Sequence, residues 1–451
     1  MPLKLNNQQT QDIMKHFTAL IFFLFFVNLS LVKGQNLVKE LTLRQAHKLI
    51  ELNHPKLKNA AIYADISAKE IEKLNKANLP SIALKADGKI QSHSVKLDLP
   101  PGSNLPFTID MPLYSAKTFL ESQFTIYDGG VNKAQQTISK TNLISKESQL
   151  NVTKFQLNEQ VNSLFLSINL LKEKSKLFNY SLKSLEQREK QITAAVQEGV
   201  VIPGELTKIQ VKEIKLLAEQ ANVNHQIKAL LAALSALLLT DLNSDTELIL
   251  PTVDISNALN TSNRPEKQYL DAQKENINAN KTLIDAARKP KIGAFAQSGY
   301  GYPNPLNFLD NNTSPYALAG IKFNWAVTDW KQSSLSKEIL DLKQLELQNA
   351  NDAIDFTLNV EEGRFKQDIE RLKNQIMSDQ KIAAMQNQIL TYMEVQLDEG
   401  TITSAEYLTQ VNAELLAQQT ILIHQTELQK TIIEFYNNRG GFNQTIQSQQ
   451  K

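Results

Sequence analysis

With 451 residues, 48 of them basic and 47 acidic, the chain is long enough for more than one ordinary domain, and its balanced charge gives no argument for nucleic acid or an anionic surface as a partner. Cysteine is absent, which removes disulfides, thiol catalysis, thiolate metal sites and lipid attachment at an N-terminal cysteine. Glycine (15) and proline (14) are scarce for this length, so long uninterrupted helices are expected.

Residues 1–34 read as an export signal with an upstream extension. Met14-Lys15-His16 is a short basic start, and Met14 is a second candidate initiator because residues 1–13 are polar. Leu20 to Val32 is mostly apolar, and Val32 and Gly34 are small enough for the −3 and −1 positions, so cleavage is expected near Gly34/Gln35. The run is short for a membrane-spanning helix of ~20 residues, and nothing after Gln35 is long and apolar enough to be one. The mature protein is therefore expected outside the cytoplasm, either soluble or crossing an outer membrane as strands.

The chain then repeats itself. Asn53-His54-Pro55 recurs as Asn263-Arg264-Pro265, and Pro80 as Pro290, both at an offset of 210. Phe124 to Asp128 matches Trp325 to Asp329, Glu198-Gly199 matches Glu399-Gly400, and Glu205 matches Glu406, all at 201. The change of offset between Pro80 and Asp128 places the length difference inside one loop. The expected division is a first repeat over 35–239, a polar linker over 240–262, a second repeat over 263–439 and a tail over 440–451.

Each repeat has one order of elements. In the first, Leu41 to Leu79 is helical in pattern and Pro80 stops it. A strand hairpin follows over 81–126: Ile82, Leu84, Ala86, Gly88 and Ile90 alternate with Lys85, Asp87, Lys89 and Gln91, then Leu120, Phe124 and Ile126 alternate with Glu121, Gln123 and Thr125. Leu99 to Pro106, rich in proline, lies between as a loop. After Asp128-Gly129-Gly130, a long helix over 131–198 contains neither glycine nor proline. Leu143, Leu150, Leu157, Leu164, Leu171, Phe178, Leu185 and Ile192 fall on every seventh residue of it, a coiled-coil signal. A turn at 199–204 leads to a helix over 205–239 with Ile209, Leu216, Val223, Leu230 and Leu237 in the same register.

The second repeat reads as a helix from Pro265 to Lys289, a strand hairpin over 292–327, a long helix over 330–399 and a helix over 403–439. The second long helix carries Ile369, Ile376, Ala383, Leu390 and Leu397 in register, and its single glycine, Gly363, marks an expected bend. The expected fold class is mainly α with a small β part. Seventy helical residues reach about 105 Å at 1.5 Å each. Four strands per chain cannot close a membrane barrel, and an open edge in hydrocarbon strands backbone groups at several kcal/mol each. Three copies would supply about 12 strands, enough for a hollow barrel, so an obligate homotrimer is preferred. Phe119, Tyr300, Tyr302, Tyr316 and Trp325 near strand ends are read as aromatics at the edges of outer-membrane lipid.

Leu41-Thr42-Leu43-Arg44-Gln45-Ala46 followed by Asn53-His54-Pro55-Lys56-Leu57, the junctions Leu79-Pro80 and Lys289-Pro290, and Tyr127-Asp128-Gly129-Gly130 together resemble TolC-like outer-membrane efflux channels over nearly the whole mature chain. Thr328-Asp329-Trp330-Lys331 departs from the pattern by keeping the aspartate without the glycines. The resemblance implies duplicated coiled-coil repeats forming a periplasmic α-barrel, and four strands per chain entering a 12-stranded trimeric β-barrel. It also implies a closed periplasmic end that opens when a periplasmic adaptor (membrane fusion) protein and an inner-membrane transporter engage. Acidic residues after the second repeat's tip turn would line that constriction. Glu406 and Thr409 hold those positions here, and Glu205 is the counterpart in the first repeat.

Two chemical readings of these residues stand side by side. Thr403 and Glu406 form a capping box, and Pro203-Gly204-Glu205 puts proline at a helix start with an acid in its first turn, so helix capping alone accounts for both glutamates. A ring of capped carboxylates would still bias cations. Val200, Val201, Ile202, Thr401 and Ile402 make the tip turns apolar for surface loops, which points to adaptor contact; the alternative is that they pack on each other. The six histidines show no metal-ligand spacing, although His47 and His54 share a face of one expected helix. No catalytic constellation and no cofactor motif is present, so no enzyme, cofactor or metal is expected. The competing reading is an exported periplasmic coiled-coil structural or adaptor protein without a pore. An adaptor is expected to have one helical hairpin between β-rich modules, whereas two hairpins and two strand pairs are written here.

Overall fold

The computed structural model describes residues 39–94, 112–251, 264–307, 310–438 and 440. The export signal and its cleavage site, the 99–106 loop, the second half of the linker, Asn263 and the tail beyond Gly440 lie outside the described residues. Among the described residues are strands β1 (Glu40–Thr42), β2 (Ser81–Ile90), β3 (Tyr114–Tyr127), β4 (Glu247–Ile249), β5 (Lys291–Tyr302) and β6 (Ser314–Asn324). The helices are α1 (Leu43–Asn53), α2 (Pro55–Lys76), α3 (Val131–Gln197), α4 (Pro203–Leu238), α5 (Pro265–Ala287), α6 (Gln332–Asp398) and α7 (Ser404–Asn438). No described helix is long and apolar enough to cross a membrane. The chain divides into two compact units. One is built on Val161–Pro251 and Gln386–Gln419 with residues up to His47; the other holds Lys48–Gln160, Thr252–Met385 and Thr420 onward.

The second unit carries an antiparallel sheet in the order β2-β3-β5-β6, so β2 and β6 are its edges. Register places Lys85 opposite Phe119, Asp87 opposite Lys117 and Lys89 opposite Ser115. It continues through Glu121 to Gln297, and pairs Gly293 with Lys322 and Lys291 with Asn324. Residues so paired share a face. Every lysine and carboxylate of the four strands therefore falls on one side of the sheet. The other side carries Ile82, Leu84 and Ile90, Leu120 and Phe124, Ala294 and Ala296, Ala319, Ile321 and Phe323, with no charge at all. That apolar side is uncovered in the single chain: Leu84 is 74% exposed and Ile321 73%.

Two of the expected interfacial aromatics sit on the other side. Phe119 and Tyr316 are buried on the charged face with their ring centroids 6.4 Å apart. Both lie opposite Gly299, and a Cβ at that glycine would come within 2.1 Å of the Thr118 carbonyl. A side chain there would collide with the backbone of β3, so glycine is what the close approach of the two strands requires. Tyr302 keeps the apolar face and stacks on Tyr114 at 5.1 Å, while Trp325 lies one residue beyond β6 and donates from Nε1 to the Arg288 carbonyl at 3.2 Å.

The junction into α3 explains both its motif and the departure in the second copy. Asp128 accepts from the backbone N–H of Gly130 at 2.8 Å and of Asn132 at 2.6 Å, and so caps α3. Gly129 and Gly130 have φ of 78° and 90°, which glycine tolerates. In the second copy Asp329 accepts from Ser333 N at 3.0 Å, and Trp330 and Lys331 take φ of 51° and 66° without being glycine. The turn is kept even where each such residue costs roughly 1–2 kcal/mol.

The single helix expected over Leu41–Leu79 is instead β1 followed by α1 and α2. Pro55 is the reason: it cannot donate within a helix and clashes with the preceding turn, so His54 turns extended (ψ 126°) and Pro55 restarts the helix at its first position. His47 and His54 therefore do not share a helix face. In the first unit β1 pairs in parallel with β4, Leu41 beside Leu248, inside what the sequence presents as a polar linker. Lys172 holds that segment by donating to the Thr246 carbonyl at 2.6 Å.

The coiled-coil stripe of α3 buries Phe178, Leu185 and Ile192, and that of α4 buries Ile209, Leu216 and Val223. Beyond Val223 the register slips. Leu231, Leu234 and Leu238 are buried where strict sevens select Leu230 and Leu237. A helix of 3.6 residues per turn drifts about 20° per heptad, and three heptads carry the buried stripe onto the next residue.

Candidate functional site

The expected tip residues all belong to the first unit. Both tip turns end a long helix with a left-handed glycine, Gly199 (φ 75°) after α3 and Gly400 (φ 69°) after α6. Val200 N–H then returns to the Ala195 carbonyl and Thr401 N–H to the Gln396 carbonyl, each at 2.9 Å, which satisfies the last carbonyls of each helix. Neither turn hides its apolar side chains fully: Val200 and Ile202 are exposed, and Val201 and Ile402 are half-buried.

Glu406 caps α7 as the sequence pattern demands. It accepts from Thr403 N–H at 2.8 Å and from the Thr403 hydroxyl at 3.0 Å, while its own N–H donates to Thr403 Oγ1 at 3.3 Å. These bonds hold its carboxyl below the usual range, with the Thr403 backbone bond the largest cause. The side chain remains exposed and ionised at neutral pH. Thr409 is also exposed, and its hydroxyl donates to the Ala405 carbonyl at 2.9 Å.

Glu205 is placed differently. It accepts from Lys208 Nζ at 2.7 Å and, reaching from α4, from the backbone N–H of Ser404 at 2.9 Å. That N–H opens α7 and has no partner inside its own helix. One carboxylate thus ties the first repeat's tip to the second's. The Lys208 bond first, then the bonds to Ser404, hold its carboxyl below the ordinary range. A lowered folded value means this stabilisation is complete at neutral pH and is lost only as pH falls through that lowered value.

A second tie was not anticipated from the sequence. Arg188 of α3 is 4% exposed. Its guanidinium pairs with Asp398 of α6, donates to the Glu394 carbonyl at 3.2 Å and to Gln191 Oε1 at 2.7 Å, and lies 5.3 Å from the centre of the Tyr407 ring of α7. Burial pushes the Tyr407 phenol up, so it stays protonated and faces Glu394 at 3.5 Å. The signal was present in the heptads. Arg188 stands three residues after Leu185 and four before Ile192, in a slot that ordinarily takes an apolar residue. Among the described residues no cluster of histidines and carboxylates could hold a metal.

Residues 47–238 match the family described as Outer membrane efflux protein. No curated protein matches the chain. The outer membrane protein VceC of Vibrio cholerae has a similar structure, with a TM-score of 0.63 at 13% identity, over 89% of this chain and 96% of that one. The outer membrane channel CmeC of Campylobacter jejuni gives 0.63 at 15%, over 91% and 89%. The open-state outer membrane channel MtrE of Neisseria gonorrhoeae gives 0.62 at 16%, over 89% of each chain. At these identities the structures speak for the fold, and they extend it across the second repeat that the family match does not reach. The first repeat thus carries the match to the outer membrane efflux protein family, and the chain as a whole has the fold of these outer-membrane channels.

Proposed function

We propose that three copies of this chain form one conduit. Their strands close into a barrel of about 12 strands in the outer membrane, and their helices continue it through the periplasm to an adaptor and an inner-membrane transporter. The observation that carries this reading is the sheet. One face is free of charge and exposed, the opposite face holds every strand charge, and both edges, β2 and β6, lack strand neighbours among the described residues. In lipid such edges must be paired, and a second copy supplies the matching edge. A second uncovered surface agrees: α6 exposes Leu335, Ile339, Leu342 and Leu345 at helical spacing.

Reconstitution into planar bilayers tests the reading, alongside heat-modified migration on gels. Stepwise ion conductance from a heat-sensitive trimer is the expected result. A soluble, non-conducting product would instead establish the pore-free structural or adaptor protein.

On this reading Glu406 and Thr409 line the constriction at the tips, with Glu406 as its exposed charge, and Glu205 beside them acts as a tie. Glu406→Gln should weaken block by divalent and trivalent cations in single-channel recordings. Unchanged block would remove Glu406 from the constriction. The exposed Val200 and Ile202, with Val201, Thr401 and Ile402 beside them, are the adaptor's contact. Val201→Asp with Ile202→Asp is expected to abolish adaptor crosslinking while trimers persist, and retained crosslinking would refute that contact.

A further inference from the structure

On that reading the charged face of the sheet lines the lumen, and its charges are not balanced. Five lysines stand there against two carboxylates. The two carboxylates are both engaged: Lys85 pairs with Glu121, and Lys117 with Asp87 at 3.4 Å. Glu121 also accepts from Gln297 at 2.9 Å. Lys89, Lys291 and Lys322 remain, and among the described residues no carboxylate pairs with them. Their placement is informative. Lys322 lies opposite Gly293, which contributes no side chain, and its Nζ stands 5.0 Å from the centre of the Phe295 ring. Lys291 pairs with Asn324 one step further toward the helices, and Lys89 lies near the other end of β2, opposite Ser115. Uncompensated positive charge thus stands at both ends of the strand-lined passage.

We infer that the strand-lined lumen of this channel is an anion-preferring passage, which favours anionic cargo, such as carboxylated, sulfated or phosphorylated solutes, over cationic cargo. The inference rests on the channel reading above. Low-dielectric walls focus the field of such charges into the pore and raise the local concentration of counter-ions. Closure of three copies triples the excess. The exposed Glu406 at the helix tips opposes it from a different part of the conduit, so the two contributions can be measured apart.

The test is the reversal potential of the wild-type trimer in planar bilayers under a potassium chloride gradient. A reversal potential displaced toward the chloride equilibrium value is expected near 0.1 M salt, where the screening length is about 10 Å. It should fade toward zero near 1 M, where that length is about 3 Å. Replacing Lys89, Lys291 and Lys322 together by glutamine should bring the potential to zero or past it, and replacing all three by glutamate should invert its sign. Glu406→Gln should leave the wild-type sign unchanged. Cation preference in the wild type overturns the inference and leaves the channel standing, as does a potential that the lysine variants do not move. A protein that conducts nothing overturns the channel reading, and this inference with it. The wild-type measurement needs no variant to fold.

Discussion

In the three-copy conduit proposed above, Arg188→Ala is expected to loosen the helix tips without any adaptor, seen as a large rise in the time the reconstituted channel spends in its high-conductance state. The side chain bridges three helices. It meets Asp398 and the Glu394 carbonyl on α6 and lies over Tyr407 on α7. Hydrogen bonds to a charged group contribute ~1.5–3 kcal/mol each and a cation–π contact ~1–2 kcal/mol. Asp398 is more than half exposed, so the ion pair itself is screened and adds little. Loss of about 3 kcal/mol shifts a closed-to-open ratio by roughly a hundredfold. The variants should therefore rank. Asp398→Asn has the smaller effect, because it keeps the buried guanidinium and its other acceptors. Arg188→Lys fails to restore closure, because a lysine lacks the planar fork that reaches both acceptors. Trimers of normal stability whose gating is unchanged in Arg188→Ala would show that this tie does not hold the tip.

Much of this architecture can be read from residue order, for identifiable reasons. Heptads in α3 and period-two alternation in β2 are local signals, and the duplication doubles each of them. The capping box at Thr403 and Glu406 is equally local, since its two partners are three residues apart. What is missed depends on pairing across distance. The strand at Glu247–Ile249 has only three residues and exists because Glu40–Thr42 lies beside it, 207 residues earlier in the chain. Phe119, aromatic and near a strand end, reads from the sequence as a lipid-edge residue. Register puts it on the charged face, opposite Gly299, where the two strands approach too closely for a side chain on the partner residue. Glu205 illustrates the same limit at the tip. Its likeness to Glu406 suggests an equivalent role, yet its second partner, Ser404 N–H, belongs to the other repeat. Repeats preserve position, and the contacts between repeats then make equivalent positions chemically unequal.

The two faces of the sheet give the second large expectation. Ala296 and Gln297 are neighbours in the middle of β5. Ala296 lies between Ser122 and Ala319 on the uncharged face, and Gln297 between Glu121 and Leu318 on the charged one. Ala296→Arg puts a guanidinium among apolar side chains, which costs about 2–4 kcal/mol in each copy at mid-membrane depth. Because the trimer carries the substitution three times, it should fail to insert, and the heat-modified trimer band should vanish from outer-membrane fractions. Gln297→Arg adds the same atoms one residue away, beside the Glu121 carboxylate. It should assemble normally and shift ion preference further toward anions. The reverse pattern would place lipid against the charged face, a geometry in which five lysines per chain would have to be buried or neutralised. Equal tolerance of both would mean that neither face meets lipid. The uncharged face would then need another cover, and the free edges of β2 and β6 another partner.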